Sequence, residues 1–322
     1  MATHRFQPTH YYTTLGSHPP VLRIASGDTV ITTTVDSGGR DAHGKQVSRS
    51  PNPQTGPFYI EGAEIGDTLA VHLDRLWPNR DLGYTNSVVM ANVVDPGFVR
   101  ELPSPKERQA QFKIDRKRGT ATLDTNYTNE TRRTRKGNSR NSSLLRALRG
   151  MPLAPMLGCF GVAPSDGQAI SASTAGPHGG NMDYRRFCAG ATVYFPILVR
   201  GALLHVGDGH ALQADGEILG TGIEISFDVQ FTVRLIKGKR IHWPRGENKT
   251  HIFTVGNARP LDQAVQHATT EMLRWLQTDF GLDPLGANLL LGHSVEYEVG
   301  NVIDPAYTMV CKVPKRLLKW KP

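Results

Sequence analysis

EISFDVQFTVRLI, residues 224–236, alternates apolar and polar side chains from Ile225 to Leu235. Successive side chains of an extended chain point to opposite faces, so Ile225, Phe227, Val229, Phe231, Val233 and Leu235 share one face. The stretch predicts a strand with one side buried. Moving outward, the same reading extends over much of the chain. TVITTTV (29–35) is a β-branched run that ends at the turn Asp36-Ser37-Gly38-Gly39, and Val21–Ile24, Phe58–Ile60 and Thr68–Leu73 continue the pattern. NPQTGP (52–57) reads as a loop. Pro196 interrupts the apolar run from Val193 to Val199, which predicts an edge strand or a bulge there.

Helical spacing occurs late. Ala264, Val265, Ala268, Met272, Trp275 and Leu276 lie on one face of a helix over Asp262–Thr278, and a second short helix is expected over Pro284–Leu291. Strands return at Ser294–Val299 and Tyr307–Val313. The expected fold is mainly β, with sandwich- or barrel-like sheets and a late helical segment, α+β overall. Residues 1–322 are read as a single unit with a β-rich N-terminal lobe (1–104), a basic surface insertion (105–149) and a C-terminal lobe (150–322) that carries the site.

The insertion concentrates charge. It holds thirteen Lys and Arg against four acidic residues, in a chain whose net charge is +8. Two readings are open: a patch for nucleic acid or another anion, and a solvated surface. Its aromatics are only Phe112 and Tyr127, and it carries no nucleic-acid motif, which favours the solvated surface. Its centre lacks periodicity, with Leu144, Leu145 and Leu148 as a weak helical signal. No run of 18 apolar residues is present, and the N-terminus MATHRFQPTHYY lacks an apolar core after its basic residues, so neither a membrane span nor a signal peptide is expected. Three cysteines, Cys159, Cys188 and Cys311, cannot all pair and fit a reducing, cytoplasmic setting.

The residues that carry chemistry cluster just before the alternating strand. GGNMD (179–183), GDGH (207–210), DGE (215–217) and GTGIE (220–224) place Asp183, His205, Asp208, His210, Asp215, Glu217 and Glu224 on glycine-rich turns beside apolar strands. Asp208 and His210 are two apart, as are Asp215 and Glu217; in an extended chain each pair faces one side. The two pairs could converge across a hairpin, with Asp183 arriving from the preceding turn. Mixed imidazole and carboxylate donors suit Zn²⁺, and a carboxylate-rich neighbouring site suits Ca²⁺ or Mg²⁺. A cation there would activate water and polarise a carbonyl. Glu217 or Glu224 could carry the proton to a leaving nitrogen; Glu224 could equally cap the start of the long strand. Asn181 either donates to a substrate carbonyl or holds its turn. His205 is five residues before His210, on the opposite face of a straight strand, and is expected to pack. Single Asp or His residues beside glycine are more often turn formers than ligands; the density and pairing raise the metal reading here. No G-x-S-x-G elbow, H-E-x-x-H or phosphate-binding glycine loop is present, and Cys159 in LGCFGVAP has the apolar flanks of an inert thiol.

These segments, in this order, resemble the acetamidase/formamidase family. The resemblance is carried by PPVLRIASGDTV (19–30), VDSGG (35–39), NPQTGPFYIEGAEIGDTLAVHL (52–73), PMLGCFGVAP (155–164), PHGGNMD (177–183), the 190–224 block, NARPLDQAVQHATTEMLRWL (257–276) and VIDPAYTMVCKVPK (302–315). Residues 78–150 depart from it, and ADGE stands where the family has GDGE. The resemblance implies release of ammonia and a carboxylate from a small carboxamide such as formamide or acetamide, through a metal-bound water. It implies a divalent metal, zinc foremost, with Asp208, His210, Asp183, Asp36 and Asp215 as ligands; Asp36 enters the set through the resemblance. It also implies a homodimer or higher oligomer, with no nucleic-acid or membrane partner. A second reading keeps the scaffold and changes the substrate to another C–N bond, in a urethane or a lactam. A third is a non-catalytic anion- or nucleic-acid-binding protein.

Overall fold

The alternating stretch forms the strand Phe227–Ile236 in a computed structural model that describes residues 1–104, 109–124 and 148–318. Phe227, Val229, Phe231 and Val233 are buried. Fully burying a side chain of this size stabilises the fold by about 1.5–3 kcal/mol. The strand pairs antiparallel with Thr29–Thr33 on one side and with Thr68–Pro78 on the other. It lies within a sheet of nine strands among the described residues, in the order Thr3–Arg5, Thr29–Thr33, Phe227–Ile236, Thr68–Pro78, Thr192–Pro196, Arg245–Glu247, His251–Ala258, Tyr307–Pro314, Glu296–Val299.

A second sheet of six described strands runs Ala175–Gly176, Gly179–Asn181, Met156–Gly161, Leu204–His210, Gln54–Ile60, Leu22–Ile24. The two sheets share one hydrophobic core. Phe58 meets Phe231 edge-on at 5.3 Å, and Phe160 meets Phe195 at 5.4 Å, so aromatic rings join the layers at two places. The mainly β expectation holds, with helices late in the chain.

Helix α1 spans Leu261–Phe280 and α2 spans Pro284–Ser294. Glu271 of α1 forms a buried ion pair with Arg245 at 2.8 Å, which ties the helix to the large sheet. Gly281 ends α1 in the left-handed region. The Asp283 side chain caps α2 by accepting from Gly286 N at 2.7 Å. Among the described residues no helix is long and apolar enough to cross a membrane.

Three local readings need correction. Thr192–Pro196 is an interior strand, hydrogen-bonded on both sides; Pro196 is its last residue and so interrupts nothing. The NPQTGP segment is a loop only to Pro53, because Gln54–Ile60 pairs antiparallel with Leu204–His210. The basic stretch contains a hairpin, Gln109–Asp115 with Thr120–Leu123, in a sheet of four described strands with Leu82–Asn86 and Met151–Pro152. Ala110, Phe112, Ile114, Ala121 and Leu123 alternate inward and join the main core, while Lys113 and the turn basics face out. The Asn/Thr/Arg-rich centre, with Leu144 and Leu145, lies outside the described residues.

Candidate metal centre

The strand Leu204–His210 is buried along its whole length, between Met156–Gly161 and Gln54–Ile60. Asp208 and His210 leave it on the same side, as their spacing predicts. Gly158 on the neighbouring strand makes room for them: a Cβ there would overlap Asp183 Oδ1 and Asp208 Oδ2. Gly222 does the same beside the His210 ring, 2.6 Å from where its Cβ would lie.

His210 Nδ1 is 2.7 Å from Gln213 Oε1. Gln213 Nε2 donates to the Asp183 carbonyl at 2.5 Å, which orients the amide so that Oε1 accepts from His210 Nδ1–H. That leaves Nε2 facing inward, 3.0 Å from Glu224 Oε1 and 3.4 Å from Asp208 Oδ1. A hydrogen bond on one ring nitrogen that fixes the other toward a cation is the usual arrangement of a metal-binding histidine.

The carboxylates are held in a common way. Asp183 accepts from Asn301 Nδ2 at 3.2 Å, Asp208 from Asn52 Nδ2 at 3.2 Å, and Glu224 from Gly222 N at 3.0 Å. Each leaves its other oxygen, Asp183 Oδ1, Asp208 Oδ1 and Glu224 Oε2, buried with no hydrogen-bond partner. A buried carboxylate oxygen without a donor is costly. Three such carboxylates grouped with one imidazole fit a cation. Two overlapping groups, Asp208–His210–Glu224 and Asp183–His210–Glu217, bring ligand atoms within 4.8 Å of one another.

The electrostatics agree. Burial raises the Asp183 and Glu217 carboxyls well above the ordinary range, and their acidic neighbours add to it. Glu224 and Asp304 are raised chiefly by burial as well. At His210, burial opposes the charged ring, but Glu224 and Asp208 outweigh it and raise its pKa well above normal. Asp183, Asp208 and Glu217 also have left-handed backbones, at φ 43, 58 and 46°. Non-glycine residues in that region cost about 1–3 kcal/mol each and concentrate at functional sites.

Asp215, Asp36 and Asn181 differ from expectation. Asp215 does not enter the centre. Gly216, at φ 79°, turns DGE into a short 3₁₀ segment, so the extended spacing fails there. Asp215 faces outward and pairs with Arg185 at 2.5 Å, while Glu217 turns in. Asp36 is fully buried, but Oδ2 meets Arg80 at 2.5 Å and Oδ1 accepts from Arg40 N at 2.8 Å. Both its oxygens are used, which makes it a turn former and counter-ion rather than a ligand. Asn181 is at the rim, where it donates to Asp304 Oδ2 at 2.7 Å and accepts from Asn52 at 2.8 Å. Its amide thus orients other side chains. Glu224 forms a bridge with His210 at the strand's approach and faces the centre.

Asn52, Gln213, Asn301 and Asp304 escaped the sequence reading. Asn301 and Asp304 border or lie within the VIDPAYT segment, where an acid near proline reads as an ordinary turn. Cys159 is buried, donates to the Ala172 carbonyl at 3.4 Å, and burial raises its thiol well above normal, so it offers no thiolate.

With the geometry in place, comparisons with known proteins converge. Acetamidase from Mycolicibacterium smegmatis is 32% identical over 239 residues, covering 64% of this chain and 58% of that protein. Formamidase from Methylophilus methylotrophus is 41% identical over 80 residues, or 20% of its length. The matches thus span less than two thirds of these curated relatives. Solved structures match almost end to end. The acetamidase from Yersinia enterocolitica superimposes with a TM-score of 0.79 at 30% identity, covering 98% of this chain and 93% of that one. Acetamidase from Bacillus halodurans gives 0.79 at 28%, covering 98% of each. The profile of the Acetamidase/Formamidase family matches residues 19–319, and the chain belongs to that family.

Proposed function

We propose that this protein hydrolyses a small carboxamide to ammonia and a carboxylate with the help of a divalent cation. The observation that carries the reading is the clustering with His210 of three buried carboxylates, Asp183, Asp208 and Glu224, each of which keeps one oxygen without a hydrogen-bond partner. Asp208, His210 and Glu224 would hold the cation, and the mixed nitrogen and oxygen donors suit Zn²⁺. Asp183 supplies a further oxygen from the second group, where a carboxylate-rich set also admits Mg²⁺ or Ca²⁺. When bound, the cation supplies Lewis-acid polarisation of the amide carbonyl and activation of water.

The chain's own residues do the rest. Gln213 keeps the His210 proton on Nδ1 and Nε2 turned inward. Asn52 and Asn301 hold Asp208 and Asp183 in place. Glu217 is 7% exposed against 1% for Glu224, so it is the carboxyl that substrate reaches. Its raised pKa keeps a proton available for the leaving nitrogen. Asp304 and Asn181 border the same space and position the amide group.

The test is elemental analysis of the purified protein beside an ammonia-release assay over formamide, acetamide and longer amides. Bound divalent metal together with ammonia release supports the reading. Metal-replete protein that releases no ammonia from any amide removes it.

A further inference from the structure

Glu217 and Glu224 stand at the two ends of one loop. The loop's own bonds run from Gly220 N to the Glu217 carbonyl at 2.7 Å and from Gly222 N to Glu224 Oε1 at 3.0 Å. Glu217 keeps a left-handed backbone there, at φ 46°, between Gly216 at 79° and Gly220 at 72°. A non-glycine residue in that region persists only where its surroundings fix it.

Residues 84–92 supply those surroundings. Tyr84 N donates to the Glu224 carbonyl at 3.2 Å, and Glu224 N to the Tyr84 carbonyl at 2.7 Å. Asn86 N donates to Thr221 Oγ1 at 2.8 Å, and the Thr85 hydroxyl lies 3.0 Å from the same oxygen. Asn86 Nδ2 donates to the Leu219 carbonyl at 3.0 Å, and Met90 N to the Ile218 carbonyl at 2.8 Å. Asn92 Nδ2 then reaches the Val302 carbonyl at 2.6 Å, just before Asp304 in the chain. One strap thus crosses the loops that carry Glu224, Glu217 and Asp304. It continues the strand Leu82–Asn86, whose Thr85 and Asn86 pair with Ala110 and Gln109 of the hairpin. Ala110 and Phe112 fix that hairpin to the main core. The basic stretch therefore supports the strap through its backbone and its buried face, not through its charge.

We propose that the strap holds the Glu217–Glu224 loop in its working shape, with Asn86 and Thr221 as positioning residues for Glu217. This rests on the amidase reading above, in which Glu217 carries the proton to the leaving nitrogen. Asn86 and Thr221 grip the middle of the loop through side chains, whereas Tyr84 grips Glu224 through the backbone. Losing the side-chain grip should release Glu217 and leave the group of Asp208, His210 and Glu224 in place. Misplacing a reacting group by about 1 Å costs about 10²-fold in rate.

The test compares Thr221→Val, Thr221→Ser and Asn86→Ala with wild type. It measures ammonia release from formamide, acetamide and longer amides, bound metal, and hydrogen exchange of the peptide over 214–224. Thr221→Val keeps the bulk of the side chain and loses the hydroxyl; Thr221→Ser keeps the hydroxyl. Thr221→Val and Asn86→Ala are expected to lower kcat by about 10–100-fold with KM and metal content unchanged, and to speed exchange over 214–224. Thr221→Ser should keep wild-type kcat and exchange. Wild-type kcat in both Thr221→Val and Asn86→Ala, or an equal loss in Thr221→Val and Thr221→Ser, overturns the proposal. Metal lost in parallel with kcat overturns the assignment to Glu217. Exchange separates the strap from the amidase reading, because it needs no turnover. Faster exchange in Thr221→Val but not in Thr221→Ser, in a protein that hydrolyses no amide, keeps the strap and sinks the amidase reading. Wild-type amide turnover, with kcat and exchange unchanged in Thr221→Val and Asn86→Ala, sinks the strap alone.

Discussion

His205 and His210 lie on one strand, five residues apart, and the fold treats them in opposite ways. His210 faces carboxylates and is driven toward charge or a cation. His205 points to the other face, where its Nε2 is 3.2 Å from the Gly16 carbonyl and its ring packs edge-on against His18 at 5.8 Å and Tyr12 at 6.5 Å. Burial, with nearby His18 and His178, pushes its pKa down to about 3. The imidazole is the same and the burial is the same. The sign of the charge around it decides whether a buried histidine is a ligand or a piece of packing.

The largest effect expected from that contrast is at His210. His210→Ala should lose bound metal and lower kcat by at least ~10³-fold, the several kcal/mol that a Lewis acid supplies. Circular dichroism should show the fold intact. Retained metal and activity would remove His210 from the centre. Next is Glu217→Gln, which should lower kcat by about 10²–10⁴-fold and leave the metal in place, because the variant loses a proton carrier and no ligand of the Asp208–His210–Glu224 group. Loss of metal in parallel with activity would make Glu217 a ligand instead.

His205 should appear in stability rather than in rate. Its folded pKa of about 3, and that of His178 at about 4, lie below the ordinary value of 6.5. A histidine depressed in the folded state is stabilising above its unfolded pKa, and that stability is lost as pH falls toward the folded value. Between pH 7.5 and pH 5 each should cost the fold about 2 kcal/mol. Urea titrations of His205→Gln should show a shallower loss over that window, with amide turnover per folded molecule close to wild type. An unchanged pH slope would mean that His205 is not held neutral. Asp215→Ala should do least: its pair with Arg185 is partly exposed, so stability should change by about 0–1 kcal/mol, with metal content and turnover unchanged. A drop in metal content would bring Asp215 back as a ligand.

The sequence carried this contrast only in part. The period of two that separates His205 from His210 also paired Asp208 with His210, and both side chains reach the centre even though Asp208 has a left-handed backbone and the strand shifts register between Leu204 and Val206. The same rule failed at Asp215 and Glu217, where Gly216 enters the left-handed region and breaks the extended backbone. Alternation was also present in QAQFKID (109–115), hidden in a stretch whose charges drew the reading toward solvent. Asn52, Asn301 and Asp304 were invisible for another reason. They reach the centre through contacts 118 to 156 positions apart, which no local pattern encodes. Asp36 shows the limit of a resemblance. Its position was legible, but the Arg80 that uses its charge is 44 residues away.

Hydrolysis is expected to require a cation at His210. Ammonia release from acetamide, measured on protein stripped by prolonged chelation and again after Zn²⁺ is added back, tests this directly. We expect the stripped protein to be inactive and the restored protein to regain turnover in proportion to the metal it takes up. Stripped protein, confirmed metal-free, that releases ammonia at the starting rate would show that hydrolysis needs no cation at His210.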